Sequence, residues 1–174
     1  MKKETQQIIG YIVGGSLVLL IIPFVIYSAA KYFDPLFGNE LLHTEQFKIP
    51  LACVLFLIGF VFGLWSIVLQ NTVGEGGPVQ FANIEISPKT KNLIVSGPYK
   101  YTRNPMLFGA CLVYFGFSVY LNSITAVILV ILFMILMLVF VKLSEEKRLL
   151  RDFGESYEKY REKTSMFIPC IPKK

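Results

Sequence analysis

The chain has 174 residues, a length that suits one domain. Its hydrophobic fraction of 54% is high for a water-soluble domain of this size and points to lipid contact. The formal charge of +5 requires no nucleic-acid partner, because a positive-inside bias and anionic headgroups account for it.

In chain order, the first apolar run is 8–30, interrupted only by glycines, Ser16, Pro23, Tyr27 and Ser28. It exceeds the roughly 20 residues that a spanning helix needs. Its apolar core is too long for an ordinary signal peptide, although Ser28 and Ala30 resemble a small-residue cleavage site. Pro23 removes one backbone donor and is expected to kink this helix. The segment 33–47 is too polar to span and is expected to lie along the outer interface. A second span is predicted at 50–69, a shorter one at 105–121 and a fourth at 124–143. Gly10 with Gly14, and Gly59 with Gly63, are pairs that let helix backbones approach closely in lipid. Asn122 and Ser123 alone separate the last two spans, so these form an antiparallel hairpin. Beyond Leu143 the chain turns charged while Leu150, Phe153, Tyr157 and Tyr160 keep a helical period. The expectation is an all-α integral membrane bundle of four transmembrane helices with a cytoplasmic amphipathic C-terminal helix in 145–174.

Lysines and arginines set the orientation. Lys2 and Lys3 precede the first span, Lys89, Lys91, Lys100 and Arg103 lie in the loop 74–104, and more follow Leu143. Both termini and that loop are therefore expected in the cytoplasm, with 31–48 on the other side. Cys53, Cys111 and Cys170 have no metal-site spacing, and the lone His43 falls in the opposite loop, so no metal is expected.

The chemistry concentrates in two polar segments that the hairpin brings to one membrane face. Gly97-Pro98 marks a turn, and Asn104-Pro105 marks a helix start with Asn as N-cap and Pro at the first helical position. Taken alone, this is a capped helix. Its amides and positive end also suit an anionic group, with Tyr99, Tyr101 and Arg103 beside them. Glu145 and Glu146 stand where the fourth span leaves the bilayer, about 100° apart around the helix axis. Taken alone they are a solvated helix exit, neighboured by Lys142 and Arg148. Facing an arginine-bearing cap across a hairpin, they form a candidate binding site.

The stretch KNLIVSGPYKYTRNPMLFG, the hairpin, and then EEKRLLRDFGESYEKY resemble the isoprenylcysteine carboxyl methyltransferase and phospholipid methyltransferase families of membrane enzymes. GEGGP at 74–78 is similar to the loop of their prokaryotic relatives. The resemblance covers about the C-terminal 100 residues. It implies S-adenosylmethionine as methyl donor, held by Lys91, Asn92, Leu93, Ile94, Tyr99, Asn104, Pro105, Met106, Leu107, Glu145 and Glu146. Arg103 and Glu146 are the residues expected at the reacting centre. The acceptor is expected to be a lipophilic molecule entering from the bilayer. Two positions depart from the pattern. Many relatives carry His where Asn104 stands, and the eukaryotic prenylcysteine enzymes carry an arginine for the substrate carboxylate where Val141 stands.

Two other readings compete with this one. An NADPH-dependent membrane reductase of the sterol reductase type has a related C-terminal architecture. A non-catalytic membrane scaffold would leave Arg103, Glu145 and Glu146 without a role in function.

Overall fold

The computed structural model describes residues 3–37, 41–42, 45–77 and 88–172. His43, Pro78 and the rest of 78–87 lie outside the described residues. Helix α1 (Lys3–Ser16) passes through a π-helical turn (Leu17–Ile21) into α2 (Ile22–Phe37). Helix α3 follows at Glu45–Thr72, and a single 3-10 turn at Gly97–Lys100 precedes α4 (Pro105–Tyr120) and α5 (Ile124–Phe140). A second π-helical turn (Val141–Glu145) joins α5 to α6 (Glu146–Lys163). No β-strand occurs among the described residues, which hold one isolated bridge between Thr102 and Ser165.

Among the described residues, three helical runs are long and apolar enough to cross a membrane: Glu4–Leu36, Gln46–Thr72 and Ile124–Lys163. The fourth apolar helix, α4, has only 16 residues. At 1.5 Å per residue it is about 24 Å long, short of a hydrocarbon core of about 30 Å. The first helix runs past Ala30 to Phe37, with Pro35 in its last turn. Large apolar side chains such as Leu20, Phe24, Leu57, Leu64, Ile128 and Leu136 face outward, the pattern of a lipid-contacting protein rather than of a water-soluble one.

The bundle is built from antiparallel neighbours. Helices α3 and α4 cross at glycines. A Cβ on Gly59 would lie 2.7 Å from the Gly109 carbonyl oxygen, and one on Gly109 would lie 2.6 Å from the Gly59 oxygen and 2.7 Å from the Gly63 amide nitrogen. Backbone therefore rests on backbone, and the close approach expected of the Gly59 and Gly63 pair is realised at Gly59, against Gly109 of α4, while a Cβ on Gly63 would meet nothing within 4 Å. Gly116 repeats the close approach against Ala52 and Leu55 farther along.

Ile26 and Ala30 of α2, Tyr114 of α4, and Ala126 and Val130 of α5 form the buried core. The turn at Leu17–Ile21 ends two residues before Pro23, which has no amide hydrogen and whose ring crowds the carbonyl of the previous turn. The helix answers by widening rather than by a bare kink. The Val18 carbonyl in this turn accepts a hydrogen bond from the Tyr114 hydroxyl at 2.9 Å, so the disturbed backbone is satisfied inside the apolar layer.

The hairpin turn is fixed from both sides. Ser123 caps α5 by accepting from the Ala126 amide at 2.9 Å. Asn122, at φ 55°, exchanges side-chain hydrogen bonds with both main-chain groups of Leu42, at 2.8 and 3.1 Å. Asp34 accepts from the Thr125 amide at 3.2 Å. At the other end of the bundle the Gln7 amide donates to Asn71 at 3.2 Å. The start of α1, the end of α3, the start of α4 and the end of α5 therefore share one end, and every polar segment with candidate chemistry is gathered there.

Candidate active site

Because α4 and α5 are antiparallel, the residue before the first and the residue after the second meet. Arg103 Nη1 forms an ion pair with Glu146 Oε1 and also donates to the Tyr157 hydroxyl at 3.3 Å. The pair is largely withdrawn from solvent, with side-chain exposures of 10% for Arg103 and 12% for Glu146. Arg103 Nε is buried without a hydrogen-bond partner among the described residues. A buried, half-satisfied guanidinium is costly for a purely structural element and marks a place where a further polar group can bind.

Glu145 differs from its neighbour. Its side chain keeps 33% exposure, and its ion pair with the buried Arg148 is long, at 3.7 Å. Burial among its neighbours pushes the Glu145 carboxyl above the ordinary carboxylate range. Arg148 pulls it down and Glu146 pushes it up further. The π-helical turn Val141–Glu145 changes the angular offset between Val141 and the glutamates, and Glu145 and Glu146 straddle its end. Val141 is buried and Lys142 is exposed.

Three tyrosines close the site. Burial raises the Tyr99 hydroxyl, and the nearby Glu145 charge adds to the effect. The Tyr160 hydroxyl donates to the Tyr99 carbonyl at 2.6 Å, and Tyr157 and Tyr160 sit edge to face at 6.2 Å. Gly154 makes this geometry possible. It adopts φ 52° and ψ −129° inside α6, a break that re-aims the last two turns. The expected single apolar stripe is therefore interrupted: Leu150 is exposed while Tyr157, beyond the break, is fully buried.

Asn104 occupies the N-cap position of α4 but makes no capping hydrogen bond there. Its side-chain amide donates instead to the Met166 carbonyl at 2.8 Å. The expectation of a side-chain cap is corrected for a physical reason: the C-terminal segment offers a stronger-placed acceptor and draws the side chain away. The first-turn amides of α4 around Met106 and Leu107 are left without a side-chain cap, next to the buried Pro105.

Lys91 to Ile94 make their contacts elsewhere. The Lys91 and Asn92 amides donate to the Gly74 carbonyl at 2.8 and 3.5 Å, and the Asn92 side chain donates to the Val73 carbonyl at 3.0 Å. Lys91 pairs with Glu75 at 2.9 Å, and Ile94 is buried against Gly74. This strand of chain is moored to the end of α3, and the Gly97–Lys100 turn, packed on Trp65 and Leu69, links it to Tyr99 and Arg103. Tyr157, Tyr160 and Thr102 were not singled out as site residues from sequence. Glu146 and Tyr157 do share a helical phase, and that signal was legible.

Two comparisons bear on the family. The family model described as phospholipid methyltransferase matches residues 47–156, which takes in α3, α4, α5 and the first part of α6. The protein-S-isoprenylcysteine O-methyltransferase of Schizosaccharomyces pombe is 30% identical over 132 residues, 67% of this chain and 55% of that protein. The chain thus spans little more than half the length of that relative. No solved structure matches at a significant level. A membrane bundle of this topology, matched over most of its length, belongs to the phospholipid methyltransferase family.

Proposed function

We propose that this protein is an S-adenosylmethionine-dependent methyltransferase that transfers a methyl group to a lipophilic acceptor at a membrane face. The observation that carries the reading is the meeting of Tyr99, Arg103, Glu145 and Glu146 at the polar end of one hairpin. Family membership and the likeness to an isoprenylcysteine O-methyltransferase support it.

The residues present fit the donor. Glu145, partly exposed and weakly paired, complements an ammonium or sulfonium. The uncapped first-turn amides of α4 at Met106 and Leu107 complement a carboxylate, as does the unpartnered Arg103 Nε. Tyr99, Tyr157 and Tyr160 supply aromatic walls, and Lys91 to Ile94, moored to the end of α3, act through the Gly97–Lys100 turn that carries Tyr99. When bound, S-adenosylmethionine supplies a methyl already activated for displacement. What the protein adds is alignment and exclusion of water. Glu146 holds the Arg103 guanidinium in place. A carboxylate acceptor needs no base; for an amine acceptor, Glu145 is the group placed to take the proton.

The same reading places four helices across the bilayer, with α4 accommodated by local thinning, both termini and the polar loop in the cytoplasm, and the polar face of α6 on the membrane surface. The acceptor enters sideways from the lipid, since carrying its apolar body through water is costly. The test is methyl transfer from tritiated donor to a panel of membrane lipids and prenylated cysteine compounds, alongside direct donor binding. Labelled product with binding of S-adenosylmethionine supports the assignment. Specific NADPH binding without donor binding overturns it in favour of a reductase.

A further inference from the structure

Residues 164–170 lie beyond the family match, which ends at 156, yet they contact the segment that carries Arg103 and Asn104. After α6 ends at Lys163, the chain turns back along 101–104. The Arg103 amide donates to the Ser165 carbonyl at 2.8 Å, and the Cys170 amide donates to the Tyr101 carbonyl at 3.0 Å. The Met166 carbonyl accepts from the Asn104 side chain at 2.8 Å and from the buried Thr102 hydroxyl at 3.3 Å. Phe167 stacks edge to face on Phe108 of α4 at 5.6 Å, and Phe108 does the same with Phe62 of α3 at 5.1 Å.

These contacts have two consequences. The backbone of Arg103 is pinned on the tail side while its guanidinium is pinned by Glu146 and Tyr157, so the cation is held from both ends. The Asn104 side chain, which would otherwise satisfy the start of α4, is held off it by Met166. We propose that segment 164–170 is a positioning element of the active site: it fixes Arg103 and keeps the α4 amides open for the carboxylate of the donor. This rests on the methyltransferase reading above and adds to it residues that lie outside the family match.

The polar contacts at Ser165 and Met166 run through main-chain carbonyls, and Phe167 is the side-chain anchor. The conformation of the segment therefore matters more than the identity of residues 165 and 166. A geometric error of about 1 Å at such a site is enough to lose roughly two orders of magnitude in rate, so an ordered tail has functional weight.

The experiment compares full-length protein, a chain ending at Thr164, Phe167→Ala, Phe167→Leu and Ile171→Ala in detergent. S-adenosylmethionine affinity is read by calorimetry, and local order by amide hydrogen exchange over 101–108 and over α3 and α5. The truncated chain and Phe167→Ala are expected to lose at least about tenfold in donor affinity, with faster exchange confined to 101–108. Phe167→Leu recovers most of the affinity, and Ile171→Ala, at an exposed position beyond the segment, binds as the full-length protein does. Should the truncated chain fail to fold, Phe167→Ala carries the test. Full affinity and unchanged exchange in the truncated chain overturn the proposal, as does exchange that rises equally throughout α3 and α5, which marks a general stabiliser. If the full-length protein itself does not bind S-adenosylmethionine, the functional reading falls and this inference with it.

Discussion

The guanidinium of Arg103 and the carboxylate of Glu146 form an ion pair across the polar end of the α4–α5 hairpin, spanning 43 positions of sequence. Neither residue lies in the apolar part of a helix, yet both are largely buried, because α6 folds its far end back over them through Tyr157. The pair thus closes the hairpin and ties down the start of α6, and in the proposed function it also orients a cation toward the donor.

Breaking that pair from one side leaves a buried charge without its partner. Glu146→Gln and Arg103→Gln are each expected to destabilise the protein by about 3–5 kcal/mol, the range for such sites. The double variant should cost less than the sum of the singles, because each single change already forfeits the same interaction. Thermal unfolding in detergent for all four members of the cycle measures the coupling. Strict additivity contradicts a direct, energetically significant pair.

Glu145 should behave in the opposite way. Its carboxyl is raised by burial, so the folded protein binds a proton more tightly than the unfolded chain does there. Stability from this group is therefore lost as pH rises from the ordinary carboxylate range through its raised value. Glu145→Gln removes that penalty and is expected to leave thermal stability unchanged or slightly higher above this window. Donor affinity moves the other way: an ammonium prefers the ionised carboxylate, so binding strengthens with rising pH across the same window. In Glu145→Gln the affinity is expected to fall at least about tenfold, the loss of one charge-assisted contact, and the pH dependence to flatten. Calorimetry across a pH series checks both; a wild-type profile in the variant contradicts the role.

The helices and the meeting of Arg103 with the glutamates were legible from hydropathy, charge placement and the two-residue turn at Asn122-Ser123. The two π-helical turns were not. The turn at Leu17–Ile21 sits in an apolar run and the one at Val141–Glu145 directly follows another, and such runs carry no periodic signal that a register has shifted. Pro23 did announce a disturbance, but not that Tyr114 would satisfy the Val18 carbonyl it exposes. The diversion of Asn104 was hidden for a different reason. Asn-Pro is a strong local capping signal, and the competing acceptor on Met166 lies 62 positions away. Tyr157 was within reach through its phase with Glu146, but Gly154 breaks that phase and leaves Leu150 outside.

That break predicts a narrow tolerance at Gly154. Its φ of 52° with ψ of −129° belongs to a region that residues with a Cβ rarely adopt, although nothing crowds the space a Cβ would fill. Gly154→Ala is therefore expected to cost on the order of 1–3 kcal/mol through backbone strain alone. If α6 instead straightens to relieve it, Tyr157 and Tyr160 leave Arg103 and Tyr99, and donor affinity drops. Thermal unfolding and donor binding on the purified variant report the two effects separately; wild-type values for both contradict the proposed use of the kink.

At the α3–α4 crossing the constraint is space rather than torsion. A Cβ on Gly109 would meet the Gly59 oxygen at 2.6 Å and the Gly63 nitrogen at 2.7 Å, and neither backbone atom can swing aside as a flexible side chain would. Gly109→Ala must push the helices apart, at a cost of about 1–3 kcal/mol for overpacking. Separation of α3 from α4 also loosens the mooring of the Gly97–Lys100 turn on Trp65 and Leu69, and with it the position of Tyr99. Since Trp65 is the chain's single tryptophan, its fluorescence reports that contact directly. Gly63→Ala provides the control, because a Cβ there meets nothing within 4 Å. The expected outcome is a lowered unfolding temperature and a shifted Trp65 emission in Gly109→Ala, with Gly63→Ala unchanged in both. Equal behaviour of the two variants contradicts the close crossing.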